Sequence, residues 1–205
     1  MCIILLIRHG SNPAVGKRAT GRMPGIHLDE QGKVEAEGLV ERLSAMNVEA
    51  IVSSPMERTV ETAQPLAVSL GLEIEKREEF SEIEIGDWSG REFEELLEDP
   101  LWQRYNVFRT GTRPPGGELM VEVQQRMVTG IEKIRGKYPA GVVAIFSHAD
   151  PIKAALAHYT GIPLDFVTRL EISLVSVSII SIDNFGPRLL CMNSKGELPR
   201  FLPVL

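Results

Sequence analysis

The residue types best suited to chemistry at the start of the chain are a guanidinium and an imidazole, which stand side by side as Arg8 and His9. They directly follow residues 3–7, an unbroken apolar run that is typical of a strand buried on both faces of a sheet. Ligands of open α/β sheets bind outside the carboxyl ends of the strands. The pair therefore predicts a reactive histidine beside an arginine that holds an anion. Taken alone, three residues favour a plainer interpretation, a strand that ends in polar residues.

A second arginine and a second histidine follow two other strand-like segments. Arg58 lies in the first turns of a helix that we expect to begin at Ser54 and Pro55, an N-cap residue followed by a proline. His148 stands at the end of another apolar run. Guanidinium groups match phosphate oxygens and stay charged, and a helix N-terminus attracts anions. We therefore expect Arg8 and Arg58 to hold a phosphate group from two strand ends.

The two histidines suit two different roles in phosphoryl transfer. A neutral imidazole is a competent nucleophile near pH 7, because its unperturbed pKa is about 6.5. We therefore predict that His9 takes the phosphoryl group. His148, if protonated, would donate hydrogen bonds to the equatorial oxygens as charge develops on them. Each histidine alone is more often a structural residue, so the prediction depends on the set.

The leaving oxygen of a phosphomonoester needs a proton, and a carboxylic acid ahead of Trp88 is suited to supply it. Glu82 and Glu84 are both candidates, and we favour Glu82. Beside a bound phosphate dianion and partly removed from water, its pKa should rise, so that it stays protonated and can donate. The same group could afterwards act as the base toward an attacking water.

Hydrophobic periodicity predicts strands that alternate with helices along the chain. The expected strands are residues 3–7, 48–53, 73–76, 142–146, 169–183 and 189–192, and the expected helices are 30–46, 55–70, 91–98, 118–138 and 151–159. Such alternation predicts an α/β fold, a three-layer α/β/α sandwich with a mostly parallel central sheet. Residues 110–117 are rich in proline and glycine, so we expect a loop there that could act as a lid.

Composition limits the class of protein. At 205 residues, 43% of them hydrophobic, we expect one domain over 1–205, with helices and loops inserted at about 80–118. A net charge of −6 argues against binding to nucleic acid or to an anionic membrane, which needs a basic surface. The apolar start is too short for a signal peptide or a membrane span. Only two cysteines, far apart, predict a reducing, cytoplasmic setting.

Together these motifs resemble the histidine phosphatase superfamily, branch 1, which includes phosphoglycerate mutase-like and alpha-ribazole phosphatase-like proteins. The resemblance covers nearly the whole chain. The matching segments are Arg8-His9-Gly10, residues 53–59 around Arg58, Glu82 with Gly86-Asp87-Trp88-Ser89-Gly90, and Phe146-Ser147-His148. It implies a phosphoglycerate mutase-like fold and a phosphohistidine on His9. It also implies that Arg8, Arg58 and His148 surround the phosphate, that Glu82 is the proton donor, and that no metal or other cofactor takes part.

Departures from the family pattern fall around the expected substrate site. Asn12 stands where a threonine or serine is usual, and Ala149-Asp150 replaces a common glycine pair. We expect Asn12, Ala149 and Arg22, which belongs to a basic loop, to contact the substrate. Asp150 would repel a second anionic group unless a cation offsets it or it contacts a hydroxyl or amine of the substrate. We favour a plainer role for Asp150, capping the following helix at Pro151.

The resemblance leaves several functions open. The first is a metal-independent phosphomonoesterase acting on a small phosphorylated metabolite. The second is a phosphoglycerate mutase-type phosphomutase, in which the phosphohistidine returns its group to the substrate. The third is a phosphate-binding protein that has lost turnover. The sequence does not identify the substrate, and it leaves room for a homodimer.

Overall fold

The computed structural model describes residues 1–199 and contains a six-stranded mixed sheet. The strands, in the order β3-β2-β4-β1-β5-β6 across the sheet, are β1 (Cys2–Arg8), β2 (Ala50–Ser53), β3 (Ile74–Lys76), β4 (Val142–Ser147), β5 (Val177–Asp183) and β6 (Gly186–Ser194). The first four strands in sequence run parallel, whereas β5 and β6 are antiparallel to their neighbours. The predicted mostly parallel sheet is confirmed.

Helices cover both faces of this sheet, because successive side chains of the central strand point to opposite sides. Ile4 and Leu6 of β1 belong to one buried cluster, and Ile3, Leu5 and Ile7 belong to the other. The helices are α1 (Glu30–Leu43), α2 (Glu57–Leu70), α3 (Phe93–Leu97), α4 (Pro100–Val107), α5 (Met120–Lys137) and α6 (Ala149–Thr160). Helices α1 and α2 pack on the second cluster, and α5 and α6 pack on the first. The expected three-layer sandwich is confirmed.

The pairing register of β1 with β4 places two of the predicted chemical groups side by side. Arg8 is the Cα partner of Ser147 in the parallel ladder, and the backbone N–H of His9 donates to the carbonyl of Ser147. His9 and His148, each one residue beyond its strand, therefore leave the same edge of the sheet. Their ring centroids are 5.3 Å apart.

One predicted strand is much shorter than expected. Residues 169–183 read as a single β-branched strand, but β5 begins only at Val177, and Leu164–Arg169 form a 3-10 helix. Ahead of β5 the chain turns at Val175, which has a positive φ of 49°. The carbonyl of Ile172 accepts a hydrogen bond from the guanidinium of Arg8 instead of pairing in the sheet. The tertiary contact overrides the local β preference.

The helices also differ in part from the predictions. Helix α4 was not predicted, although Asp99 caps it by accepting from the N–H of Leu101 and Pro100 occupies its first turn. Helix α2 begins at Glu57 rather than at Pro55, with Met56 as its N-cap residue. Among the described residues, no helix combines the length and apolarity needed to cross a membrane.

Candidate active site

A cavity of about 180 Å³ opens at the edge of the sheet where β1 and β4 end. Its wall includes Arg8, His9, Asn12, Arg58, Glu82 and Asp150, together with apolar side chains. His148 lies directly behind His9, fully buried. The fold thus brings together the five residues predicted to carry the chemistry, although they lie far apart in the sequence.

The backbone fixes the tautomer of His9. Its Nδ1 lies 2.8 Å from the carbonyl oxygen of Gly10, which can only accept a hydrogen bond, so Nδ1 carries the proton. The Nε2 atom is then left with a free lone pair. Burial, followed by the charges of Arg58 and Arg8, lowers the pKa of His9 to about 3. The ring is therefore a neutral base and a potential nucleophile throughout the physiological range.

Each of the two arginines is anchored by one nitrogen and leaves another without a partner. Nη1 of Arg8 donates to the carbonyl of Ile172 at 2.6 Å, and Nη2 of Arg58 donates to that of Gly21 at 2.9 Å. Within residues 1–199, Nε of Arg8 and Nη1 of Arg58 are buried and make no hydrogen bond. Buried donors are normally paired. An anion in the cavity would provide the missing acceptors.

His148 is held by a serine from a neighbouring strand end. Its Nε2 lies 2.9 Å from Oγ of Ser54, while its buried Nδ1 has no hydrogen-bond partner in the described part of the chain. Burial, followed by the charge of Arg58, lowers the pKa of His148 well below its usual range. The protonated donor expected from the sequence is therefore disfavoured without a bound anion. A neutral ring can still donate from Nδ1 when the Ser54 hydroxyl donates to Nε2.

The structure separates the two candidate acids. Glu82 lines the cavity, and its Oε2 lies 3.8 Å from Nδ1 of His148. Burial, followed by the negative charge of Asp150, raises the pKa of Glu82 to about 7. Glu84 instead caps a turn outside the cavity by accepting from the N–H of Gly86. Glu82 is therefore the carboxyl group that can carry a proton to a ligand at neutral pH.

Arg22 holds the loop that carries Glu82 and does not line the cavity. Its Nε donates to the backbone carbonyl of Glu82 at 2.7 Å, and its Nη2 pairs with Glu118 at 2.8 Å. Arg126 of α5 also donates to that carbonyl and pairs with Glu118. The expectation that Arg22 contacts the substrate is thus corrected, because Arg22 is not in the cavity wall and its Nε and Nη2 hold the loop of Glu82 and Glu118. Neither Arg126 nor Glu118 was singled out from the sequence, where isolated charges on a helix carry no signal.

The proline- and glycine-rich segment is a loop, as predicted, and it packs against the loop of Glu82. The backbone of Glu118 donates to the carbonyl of Glu84, and the N–H of Asp87 donates to the carbonyl of Pro115. A Cβ on Gly86, whose φ is 52°, would lie only 1.9 Å from the carbonyl oxygen of Pro115. The two loops are therefore fitted to each other at backbone level. A motion of the segment as a lid stays a prediction.

The remaining residues predicted to contact the substrate, Asn12 and Ala149, lie close to His9 and His148. Asn12 is buried in the cavity wall, and its Oδ1 accepts from the N–H of Ala14. Ala149 is the first residue of α6, immediately after His148, and its side chain is not part of the cavity wall. The first N–H groups of a helix have no partners within the helix. Only the backbone of Ala149 can therefore contribute.

Asp150 does not cap α6, contrary to the sequence-based expectation. The N-cap residue is His148, and Asp150 lies inside the first turn. Its Oδ2 accepts from Nη1 of Arg109 at 2.8 Å, and within residues 1–199 the carboxylate accepts from no N–H group of its own helix. Arg109 was not predicted from the sequence to have a role. It is buried and reaches Asp150 from just beyond the end of α4.

Aromatic side chains form the wall of the cavity away from the phosphate end. Phe93, Trp102 and Tyr105 line it, and Trp88 packs behind them, 5.1 Å from Trp102 between ring centroids. Trp88 is thus part of the core. Trp102 and Tyr105 were missed because α4 was not predicted, and Phe93 was missed although it lies on the predicted helix of residues 91–98. The spacing of Trp102 and Tyr105, three residues apart after an Asp-Pro pair, was the available signal.

Known proteins with similar sequences and structures support this description. A bifunctional protein of Mycobacterium tuberculosis is 34% identical over 180 residues, which are 86% of this chain and 49% of that protein. The chain therefore spans about half the length of the curated relatives of this type. Phosphoserine phosphatase 1 of Hydrogenobacter thermophilus is 29% identical over 214 residues and covers 98% of this chain and 96% of its own.

A solved structure and a family model agree with these relatives. The YhfR protein of Bacillus stearothermophilus superposes with a TM-score of 0.87 at 27% identity, over 97% of this chain and 98% of that one. The model of the histidine phosphatase superfamily (branch 1) matches residues 4–195. The match spans the strands, helices and loops that deliver every side chain of the cavity described above. The chain belongs to the histidine phosphatase superfamily, branch 1.

Proposed function

We propose that this protein is a metal-independent phosphatase that hydrolyses the phosphomonoester of a small metabolite through a phosphohistidine on His9. One observation carries the proposal. The free Nε2 of His9 shares a small cavity with buried nitrogens of Arg8 and Arg58 that have no partner within residues 1–199, and His148 lies behind it with an Nδ1 that likewise has none there. A nucleophile facing several donors without acceptors is suited to a tetrahedral dianion. The relative named phosphoserine phosphatase supports a small phosphorylated substrate.

In the first step, Nε2 of His9 attacks phosphorus and the ester P–O bond breaks. Arg8, Arg58 and His148 donate to the three equatorial oxygens, and charge-assisted contacts of this kind contribute roughly 1.5–3 kcal/mol each. The carboxyl proton of Glu82 passes to the leaving oxygen, so that an alcohol departs. The contact of Nδ1 with Gly10 holds the imidazole plane during the attack.

In the second step, water attacks the phosphohistidine and the P–N bond breaks. Glu82, now a carboxylate, takes a proton from the water, which restores the acid for the next turnover. His9 leaves as a neutral imidazole, as it began. We propose that the backbone N–H of Ala149 and the amide of Asn12 add hydrogen bonds to the substrate near the phosphate.

The identity of the binding partners follows from the same chemistry. A small phosphorylated substrate is the partner we propose, and neither nucleic acid nor membrane is needed. Arg22 is proposed as a positioning residue for the loop of Glu82, not as a substrate ligand. The cytoplasmic location, the homodimer and the independence of any cofactor stay predictions.

The substitution His9→Ala tests the proposal directly. We expect the wild-type protein to hydrolyse p-nitrophenyl phosphate in excess chelator and His9→Ala to reduce the rate to background, because the unpaired nitrogen of His148 carries a proton in this proposal and has no lone pair to attack phosphorus. The matched control is His158→Ala, since His158 is exposed on α6 and lies outside the cavity. It should retain wild-type activity.

Trapping distinguishes the alternatives. Incubation with a ³²P-labelled ester and an acid-free quench should leave label on His9 and release inorganic phosphate. Label that returns to the substrate, with turnover stimulated by a bisphosphate, would replace the proposal by a mutase. Binding without any label on His9 would replace it by a phosphate-binding protein, and hydrolysis by His9→Ala would refute the nucleophile.

A further inference from the structure

The wall of the cavity contains one carboxylate that the proposed reaction does not use. Asp150 lines the cavity beside Arg8 and Glu82, and its side chain is 22% exposed. A carboxylate next to a phosphate site is electrostatically unfavourable for binding a dianion. Because the side chain does not cap its helix, a capping role does not explain its position.

A buried arginine fixes this carboxylate from behind. Arg109 is only 7% exposed and donates from Nη1 to Oδ2 of Asp150 at 2.8 Å. It also donates to the hydroxyl of Tyr105 and to Oδ1 of Asn106, and its guanidinium lies 4.1 Å from the centre of the Tyr105 ring. Arg109 is not part of the cavity wall. It can therefore hold Asp150 in place without reaching a ligand.

The second oxygen of Asp150 accepts no hydrogen bond from the described part of the chain. Among residues 1–199, all hydrogen bonds of this carboxylate go through Oδ2 to Arg109, and Oδ1 has no donor. A partly buried charged oxygen is expected to be paired. Since Asp150 lies in the cavity wall, the free acceptor is available to a ligand there.

We propose that Oδ1 of Asp150 accepts a hydrogen bond from a donor on the substrate, an ammonium or a hydroxyl one or two carbons from the phosphoester carbon. This inference rests on the proposed function and names its substrate class: small phosphomonoesters with a nearby donor and no second anionic group at that position. The short reach follows from the site, because Asp150 shares a cavity of about 180 Å³ with Glu82, which protonates the ester oxygen. Phe93 and Trp102 line the same cavity, and their rings offer no acceptor that could replace Asp150.

Three esters that differ only at the terminal carbon test the proposal. They are 2-aminoethyl phosphate, 2-hydroxyethyl phosphate and ethyl phosphate, which carry an ammonium, a hydroxyl and a hydrogen. In Asp150→Asn, the loss of kcat/KM for 2-aminoethyl phosphate should be at least about tenfold larger than the loss for ethyl phosphate. The reason is that the variant loses a charge-assisted contact with the ammonium group. Ratios taken within one enzyme preparation do not depend on the folded fraction. Dividing the ratio for the variant by the ratio for the wild type also cancels the different leaving abilities of the three alcohols.

The matched control is Asp87→Asn, the same change at an exposed residue outside the cavity. It should leave the ratios of the three esters unchanged. If Asp150→Asn lowers all three esters by one factor, or if Asp87→Asn shifts the ratios equally, the proposal is overturned. An effect confined to the ammonium ester identifies the donor as a cation. An effect on both donor esters identifies a general donor site.

Binding to the wild-type protein provides a test that needs no variant and no turnover. The phosphonates 3-aminopropylphosphonate, 3-hydroxypropylphosphonate and propylphosphonate mimic the three esters and are measured by calorimetry. We expect the amino compound to bind at least about fivefold more tightly than propylphosphonate. Equal binding would overturn the role of Asp150. Discrimination among the phosphonates without any ester hydrolysis would refute the phosphatase proposal alone.

Discussion

Two residues of the cavity have pKa values moved in opposite directions from their usual ranges. Burial beside Arg58 lowers the pKa of His9 to about 3, and burial beside Asp150 raises that of Glu82 to about 7. Between these values His9, the proposed nucleophile, is unprotonated and Glu82, the proposed acid, is protonated, which is the pair of states that the proposed ester cleavage requires. The two protonation states that the proposed reaction needs therefore coexist from acidic to neutral pH.

This arrangement predicts a leaving-group effect in Glu82→Gln. The variant should phosphorylate His9 from an alkyl phosphate about 100-fold more slowly than the wild type, because an alkoxide leaves poorly without a proton. The rate from p-nitrophenyl phosphate should change much less. In the wild type the alkyl rate should fall as the pH rises above about 7, as Glu82 loses its proton, and the variant should lack this decline. Rapid-quench measurement of labelled His9 gives both rates.

Glu84→Gln is the control for this prediction, because Glu84 lies two residues further on with its side chain outside the cavity. It should keep the wild-type pH profile. An equal loss for both esters in Glu82→Gln would show that Glu82 positions the phosphate and does not protonate the leaving group.

At the scale of elements, helix α1 supports the turn that follows His9. A Cβ built on Gly32 in the first turn of α1 would lie 2.1 Å from the carbonyl oxygen of Ser11, and one on Gly10 would lie 2.9 Å from the carbonyl of Gly32. The helix and the catalytic turn thus touch through backbone atoms. A glycine is required there because of the close approach.

Gly32→Ala should therefore destabilise the fold by about 1–3 kcal/mol, as overpacking does, and reduce kcat/KM by displacing the turn beside His9. Gly38 lies on the same helix, exposed and with open space around it. Gly38→Ala should stabilise the protein by roughly 0.5–1 kcal/mol through helix propensity and leave the activity unchanged. Urea unfolding and steady-state kinetics measure both effects. Equal stability of the two variants would contradict the backbone contact.

At the scale of the whole molecule, the groups that the fold removes from water make stability depend on pH. His9 binds a proton less readily in the folded protein than in the unfolded chain. Its contribution to the free energy of unfolding is therefore complete above about pH 6.5 and is lost as the pH falls toward 3. Glu82 has the opposite sign, because its folded pKa of about 7 exceeds the unfolded value. Its contribution is complete below about pH 4.3 and is lost as the pH rises toward 7.

Urea-unfolding midpoints between pH 4 and 8 should separate the two effects. We expect His9→Asn to lose less stability than the wild type on acidification from pH 6.5 to 4. Glu82→Gln should lose less on the alkaline side, between pH 4.5 and 7. Some acid-side slope remains in His9→Asn, because the pKa of His148 is also lowered. Identical slopes in the wild type and both variants would contradict the burial of these groups in solution.

How far the sequence predicted the molecule depended on whether a signal was local. Strand β1 and the side chains of Arg8 and His9 at its end could be predicted from the sequence, because the apolar run and its polar end lie within a few residues. The start of β5 could not, because the contact from Arg8 to Ile172 joins distant segments. The ion pair of Asp150 with Arg109 was hidden for the same reason, and it takes the place of the expected helix cap.

The adjacency of β1 and β4 has a consequence for how the protein folds during its synthesis. The two strands are neighbours in the sheet, yet they come from opposite parts of the chain, with β2 and β3 made between them. While the protein is being synthesised, the Arg8–His9 end of β1 has no partner until β4 emerges. The cavity can therefore form only late in synthesis, so that a ribosome-bound chain stopped before His148 carries His9 without the side chains that surround it in the folded protein.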